Sequence, residues 1–310
     1  MAYLGIDLGG TYARAAIVDA QGRLVSSAKV ALTDRAPEVV ADAIARAAGE
    51  AGGGADVLGC GVGVAGMLDR DTGVVANAPN LGWRDVPFAK MLADRLGRPV
   101  RLVNDLAAAA WGEYKAGAGL GVQDVFVVMV GSGVGGAIIA NGALVRGATG
   151  VAAEFGHVKV VPDGRRCGCG QRGCLEAYVG GHNLIAQMRE ALASATPTML
   201  RDRTGGDATA LTPIVLEAAA LAGDAVAKAI YDPACAYLGM CIGSQITVLN
   251  PARLILGGGV LRRCPAMRAA VVDAIGRYAT VVSSQALTVV ESALGDDSGL
   301  IGAALLAAEG

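Results

Sequence analysis

The chain lacks a basic excess. Its 26 Lys and Arg stand against 28 Asp and Glu, a net charge of −2, and the isoelectric point is near 5.8. Nucleic acid and anionic membrane are thereby excluded as main partners. It also lacks a long apolar run. The most apolar stretch, "VFVVMVGSGVGGAIIANGAL", is broken by Gly131, Ser132 and Gly133, which argues against a membrane span. The start, "MAYLGIDLGG", has no basic region and carries Asp7, so no secretion signal is expected and a cytoplasmic protein is. No Gly-Lys pair occurs, which removes a Walker A loop. Histidine is nearly absent, at two residues, and cysteine is sparse at seven, an odd number. Three of those cysteines crowd into 167–174, which in a reducing compartment suggests metal or chemistry rather than a disulfide framework.

What is present reads as an α/β chain of two related lobes, and no low-complexity linker separates them. The opening "YLGIDLGG" and "TYARAAIVDAQGRLVSSAKV" predict three strands in meander. Residues 37–51 have helical spacing, opened by Pro and closed by glycines. A buried strand "DVLGCGVGVAG", a helix at 86–99 stopped by Gly97 and Pro99, the strand "VRLVND" and a helix right after it follow. The second half repeats the theme with "DVFVVMV" and "GAIIANGALV", the latter holding an Asn-Gly hairpin turn. Helices are expected over 174–194, 213–249, 265–278 and 298–308, and strands at "RLILGGG" and "LTVVES". The stretch at 196–213 reads as an exposed loop.

Four glycine clusters follow predicted strands: Gly9-Gly10, Gly61 to Gly66, Gly131 to Gly136 and Gly257 to Gly259. "GVGVAG" and "GSGVGG" match G-x-G-x-x-G, but no helix follows either, so a dinucleotide fold is rejected. What remains is a hairpin-type phosphate loop, where small residues let backbone N–H groups approach phosphate oxygens. Thr11 and Ser132 can add hydroxyl donors, and Asp7 is placed to hold Mg²⁺ through water. The competing reading is a set of tight turns that need positive φ.

"IDLGGTYARAAIVD", "VGSGVGGA" and "LILGGGV" resemble, in order and spacing, the two phosphate motifs and the adenosine motif of actin-like sugar kinases. "EFGH" followed by "CGCGQRGCLE" resembles the signature of the ROK family within them. The resemblance runs from Tyr3 to the last helix. It implies a two-lobed actin-like (ribonuclease-H-like) fold, each lobe a mixed sheet flanked by helices and closing over a sugar. The small lobe is expected over 1–106, completed by the helix at 298–310, and the large lobe over 107–297. The implied activity is ATP-dependent phosphorylation of a hexose at its 6-hydroxyl, most simply glucose. N-acetylmannosamine, N-acetylglucosamine, fructose, mannose and allose share the same hydroxyl-binding logic, and polyphosphate is the alternative donor.

The implied nucleotide contacts are Asp7, Gly9, Gly10, Thr11, Gly131, Ser132, Gly133, Gly258 and Gly259. The implied sugar contacts are Gly66, Asn80, Asn104, Asp105, Glu154, His157 and Glu176. Asp105 is the implied general base, which accepts the proton of a hydroxyl placed in line with the phosphoryl group. Read without the resemblance, Asp105 is equally a helix N-cap and Asn80 a turn residue. Tyr12 departs from the family pattern of a basic residue after Gly-Gly-Thr, and Arg14 is a nearby substitute. A homodimer is the family expectation. A sugar-sensing repressor is the rival class, but the chain starts at its first strand and leaves no room for a helix-turn-helix.

His157, Cys167, Cys169 and Cys174 supply three sulfurs and one nitrogen, a good closed set for structural Zn²⁺. Glycines at 168, 170 and 173 allow the tight loop this needs. With one ring nitrogen of His157 on the ion, either Nδ1 or Nε2, the other is fixed as a donor to a sugar hydroxyl. Glu154 and Glu176 bracket the cluster as hydroxyl acceptors. Cys60, Cys235, Cys241 and Cys264 read as small core residues, and His182 as structural or surface.

Overall fold

The structure, a computed structural model, describes residues 1–54, 57–69, 71–194 and 196–309. The N-terminal alternation forms β1 (Ala2–Leu8), β2 (Tyr12–Asp19) and β3 (Leu24–Ala31), paired as an antiparallel meander. Helix α1 (Pro37–Glu50) opens on proline, whose fixed φ suits a first helical turn. Strand β4 (Val57–Val64) runs parallel to β1, and Asp56, expected at its start, lies outside the described residues. Three short strands that the periodicity did not signal follow: β5 (Met67–Asp69), β6 (Val74–Ala78) and β7 (Trp83–Val86), a small antiparallel sheet. Helix α2 (Phe88–Leu96) stops at Gly97, which takes φ 64°. Strand β8 (Val100–Asn104) leads straight into α3 (Asp105–Ala116).

The second half begins with β9 (Val125–Val130), β10 (Val134–Ala140) and β11 (Ala143–Leu144). Asn141 and Gly142 both take positive φ, as a two-residue type I′ hairpin turn requires. Then come α4 (Glu176–Val179), α5 (Gly181–Leu192), α6 (Met199–Thr204), α7 (Pro213–Leu221) and α8 (Ala225–Leu249). The chain finishes with β12 (Arg253–Gly257), α9 (Gly259–Arg263), α10 (Pro265–Tyr278), α11 (Val281–Ala286), β13 (Thr288–Glu291) and α12 (Ser298–Ala308). Two five-stranded sheets result, ordered β3-β2-β1-β4-β8 and β11-β10-β9-β12-β13. Both mix antiparallel and parallel pairs.

The expected loop at 196–213 is instead partly helical. Thr198 Oγ1 caps α6 by accepting from Leu200 N at 3.2 Å, and Asp224 accepts from Thr198 Oγ1 and Met199 N. Leu200 and Leu211 are buried, each worth about 1.5–3 kcal/mol against exposure, which is why the segment folds back.

The chain divides into two compact units. The first comprises Met1–Val122, Ala137–Ala152 and Ser292–Gly310; the second comprises Gln123–Gly136 and Ala153–Glu291. Helix α3 falls within the first unit, where it packs on α12. Gly112 and Gly302 permit that contact: a Cβ on Gly302 would lie 1.7 Å from the Ala108 carbonyl oxygen. On its sheet, α1 packs against β2 and β3, and its Val40 and Ile44 join one buried cluster with Leu4, Ile6 and Leu8 of β1. Helix α12 covers the other face. Cβ atoms added at Gly5 and Gly61 would lie 2.0 and 1.9 Å from carbonyl oxygens of Leu300 and Ala303. Gly61 and Gly63 are therefore strand residues under a helix, and of that glycine cluster only Gly66 stands past the strand. Among the described residues no helix is long and apolar enough to cross a membrane.

Candidate functional site

In the first unit the parallel strands β1, β4 and β8 bring their carboxyl ends to one edge, the place where α/β sheets present reacting groups. Register sets Asp7 opposite Gly63 and aligns Leu8, Val64 and Asn104 in one row. Gly9, Gly10 and Thr11 form the turn after β1, closed by Gly9 N donating to the Tyr12 carbonyl at 3.0 Å. Asn80 lies in the turn between β6 and β7, and its carbonyl oxygen would be 3.7 Å from a Cβ on Gly10. Gly66 packs against Asn77 and Ala78, where a Cβ would meet the Asn77 carbonyl oxygen at 2.6 Å.

Asn104, not Asp105, caps α3. Its Oδ1 accepts from Leu106 N at 3.0 Å and Ala107 N at 3.1 Å, which leaves its amide nitrogen to donate outward. Asp105 is the first residue of the helix, with its Cα 3.6 Å from where a Gly63 Cβ would stand. The competing N-cap reading of Asp105 is thus removed. Its carboxylate sits in the first helical turn, where the helix dipole favours negative charge.

Asp7 carries a carboxyl held above the ordinary range. Burial is the main cause, Arg14 opposes it, and Asp296 adds to it. Arg14, opposite Asp7 in the β1–β2 register, is committed elsewhere: it donates to the Asp296 carbonyl at 2.6 Å and pairs with the Asp297 carboxylate. It is therefore not a free substitute for a basic residue at position 12. Tyr12 instead faces a cation, the Lys29 ammonium 3.9 Å above its ring.

In the second unit the turn between β9 and β10 is Gly131, Ser132 and Gly133, closed by Gly131 N to the Gly133 carbonyl at 2.9 Å. Gly258 follows β12 beside it, its φ of 88° laying a Cβ position 2.4 Å from the Val130 carbonyl oxygen. Gly259 opens α9. Of these glycines only Gly258 takes a positive φ; Gly9, Gly10, Gly131 and Gly133 do not. A Cβ on Gly131 would meet nothing within 4 Å. The left-handed-turn explanation therefore fails for five of the six, Gly259 included, and the bare backbone at Gly131 leaves space that a ligand's phosphate can occupy.

Glu154 precedes a single 3-10 turn, Phe155–His157, anchored by the buried Phe155 ring edge-on to Phe126 at 5.3 Å. His157 Nδ1 lies 3.6 Å from Cys167 Sγ, and its Nε2 lies 3.7 Å from Glu154 Oε2. Cys169 and Cys174 sulfurs are 3.7 Å apart, and all four ligand atoms fall within 4.8 Å of one another. Ligands about 2.3 Å from a tetrahedral centre stand about 3.8 Å apart, so the set fits one Zn²⁺. Gly170 and Gly173 make the loop possible through positive φ, and a Cβ on Gly173 would strike the Val161 carbonyl. Gly168 needs neither a positive φ nor the missing Cβ. Glu176 Oε2 accepts from Val134 N at 2.9 Å, and its Oε1 is 3.8 Å from Cys167 Sγ.

Lys159, which the sequence reading passed over, donates from Nζ to Cys174 Sγ at 3.0 Å. Three thiolates around a divalent ion would leave one negative charge, which this ammonium would offset. The available signal was a lone cation two residues past His157. His182 is exposed, and its backbone N–H donates to the Ser132 carbonyl.

The ROK family model matches residues 3–309. The glucokinase of Streptomyces coelicolor is 36% identical over 310 residues, covering 99% of this chain and 97% of that one. Among solved structures, a ROK family glucokinase from Streptomyces griseus in complex with glucose and AMPPNP superposes with TM-score 0.84 at 38% identity, each chain covered in full. A ROK hexokinase from Thermus thermophilus superposes with TM-score 0.83 at 33% identity, covering 100% of this chain and 98% of that one. Matched by the family model over 3–309 and by full-length relatives more than 30% identical, the chain belongs to the ROK family.

Proposed function

We propose that the protein is an ATP-dependent glucokinase, which moves the γ-phosphoryl group of ATP to the 6-hydroxyl of glucose. The full-length likeness to the Streptomyces griseus glucokinase that holds glucose and AMPPNP carries this reading. Asp105 accepts the proton of the 6-hydroxyl as its oxygen bonds to the γ-phosphorus and the bond to the β,γ-bridging oxygen breaks, releasing ADP. Its support is position: first turn of α3, at the carboxyl edge of the parallel strands. Asn104 orients the sugar through its amide nitrogen, because its oxygen is spent on the cap. Asn80, Gly66, Glu154, His157 and Glu176 complete the set that binds hydroxyls.

Gly9, Gly10 and Thr11, with Gly131, Ser132, Gly133, Gly258 and Gly259, hold the nucleotide through backbone N–H groups. Asp7 is the residue that would hold Mg²⁺, which when bound neutralises phosphate charge. Its crowding by Asp296 fits a cation there. His157, Cys167, Cys169 and Cys174 would hold Zn²⁺ as a closed structural site, since four protein ligands leave no open position. In this reading Nδ1 of His157, the nitrogen 3.6 Å from Cys167 Sγ, would be the ligand, and Nε2–H would remain as the donor toward the sugar. None of the seven cysteines is in a disulfide, which suits a cytoplasmic protein. The reading includes a homodimer, which light scattering reads directly.

The test is a panel of hexoses with Mg-ATP and with polyphosphate, the product located by NMR. Glucose 6-phosphate from ATP is expected as the best product. No turnover of any sugar would remove the kinase reading, and preference for an N-acetylated hexosamine would remove glucose as substrate.

A further inference from the structure

Glu176 stands where two loops of the second unit meet. Its Oε2 accepts the Val134 N–H at 2.9 Å, while its Oε1 lies 3.8 Å from Cys167 Sγ. The residues that follow it continue the contact. Gly181 N donates to the Gly131 carbonyl at 2.9 Å and His182 N to the Ser132 carbonyl at 3.0 Å. A Cβ on Gly133 would lie 2.3 Å from Glu176 Oε2, and one on Gly180 would lie 3.1 Å from the Ser132 carbonyl oxygen. Each residue of the 131–134 turn is thus met from the single segment 176–182. That segment is tied at its other end to the cysteine loop. Leu175 N donates to the Val158 carbonyl at 2.8 Å, and Lys159 and Cys174 form an antiparallel bridge.

A glycine-rich turn has many conformations, and fixing it upon binding a ligand costs entropy. Contacts that fix it beforehand raise affinity without touching the ligand. The Glu176 carboxylate is a strong acceptor for one backbone N–H and fills the space that Gly133 leaves empty. We infer that Glu176 is a positioning residue for the phosphoryl donor: it holds the 131–134 turn in its phosphate-binding shape and ties that shape to the order of the cysteine loop. The inference rests on the reading of this turn as a phosphate loop. It gives one carboxylate a duty toward the nucleotide besides its duty toward the sugar.

The experiment is titration of Mg-AMPPNP into the sugar-free protein, for wild type, Glu176→Ala, Glu176→Gln, Gly133→Ala and Ser132→Asp. Glu176→Ala is expected to weaken binding roughly tenfold or more, as loss of a charged acceptor to a buried N–H does. Glu176→Gln keeps an oxygen for Val134 N–H and is expected within about twofold of wild type, while its KM for sugar rises. Gly133→Ala, which drives a methyl group into the carboxylate, is expected to weaken nucleotide binding with Glu176 still present. Ser132→Asp places a negative charge in the turn itself and reports on the phosphate-loop reading. Wild-type affinity in Glu176→Ala and Gly133→Ala, with weakening in Ser132→Asp, overturns the inference alone. Wild-type affinity in Ser132→Asp as well overturns the phosphate-loop reading, and the inference with it.

Discussion

His157 turns Nδ1 toward Cys167 Sγ at 3.6 Å and Nε2 toward Glu154 Oε2 at 3.7 Å. One imidazole thus spans the sulfur cluster on one side and a carboxylate on the other. With an ion on Nδ1 the proton must sit on Nε2, so metal binding fixes the tautomer that the proposed sugar contact needs. Cys169→Ser should therefore lose about one zinc per chain and lose sugar affinity with it. Metal analysis and glucose titration on the same sample check this. Unchanged glucose affinity in a zinc-free protein would separate the two halves of the ring.

The other thiols give a count to test. Burial pushes the Cys60 and Cys235 thiols up to about 12 and those of Cys241 and Cys264 up to about 11. These four should resist a thiol reagent at pH 8 in the folded protein. Chelation should then expose the three thiols of the loop and no more, and full reaction should need denaturant. Rapid modification of a fourth thiol in the native, chelated protein would contradict the burial.

Asp105→Asn should lower kcat by about 10²–10⁴-fold, the usual share of a general base. Glucose affinity should change little, because Asn104 keeps its cap and its free amide. Steady-state kinetics and glucose titration check the two together. A kcat equal to wild type would remove Asp105 as the base.

Much of this was legible before the structure. Residues 265–278 and 298–308 were expected as helices and are α10 and α12 with those bounds, because each opens at a clear punctuation, Pro265 or Ser298. The small sheet β5-β6-β7 was not. Its strands are three to five residues long, and turn residues such as Asp71, Thr72 and Gly73 outnumber any alternation. Within the site, motif residues were legible and their supports were not. The cap of α3 was not assigned to Asn104 from sequence, where Asp105 was the residue weighed for it, since either side chain can cap and only the turn geometry chooses. Arg14 appeared available from sequence, while its partners Asp296 and Asp297 lie far along the chain.

Glu113 shows the same limit, and it is testable. Its carboxylate is fully buried on α3 and accepts from Ser292 Oγ at 2.6 Å, Ala293 N at 3.0 Å, Leu294 N at 2.8 Å and Ala118 N at 3.0 Å. Glu113→Ala leaves those donors without an acceptor and should cost about 3 kcal/mol or more. Glu113→Gln, which keeps one oxygen, should cost less. Thermal melts of the three proteins check the order, and a Glu113→Ala protein as stable as wild type would remove the carboxylate as a pin.

Asp7 gives a pH signature. Its folded-state pKa is raised above the unfolded value of 3.8, so the folded chain holds its proton to higher pH than the unfolded chain does. Stability of the protein without divalent cation or nucleotide should then fall as pH rises from the unfolded value through the raised one. Asp7→Asn removes this loss and should melt at or above wild type at neutral pH, the difference closing in acid. An Asp7→Asn protein that melts below wild type at neutral pH would show that the carboxylate is not destabilised there.

The glycine contacts beneath α12 bear on how the chain is made. Gly5 and Gly61 belong to strands synthesised early, yet the helix that seats on them spans residues 298–308. One face of the first sheet therefore stays uncovered until nearly three hundred residues have left the ribosome, the second unit among them. Through that interval the nascent first unit presents a strip of bare glycine backbone to water and to chaperones. The seat of α3, which carries Asp105, is likewise complete only once α12 is in place.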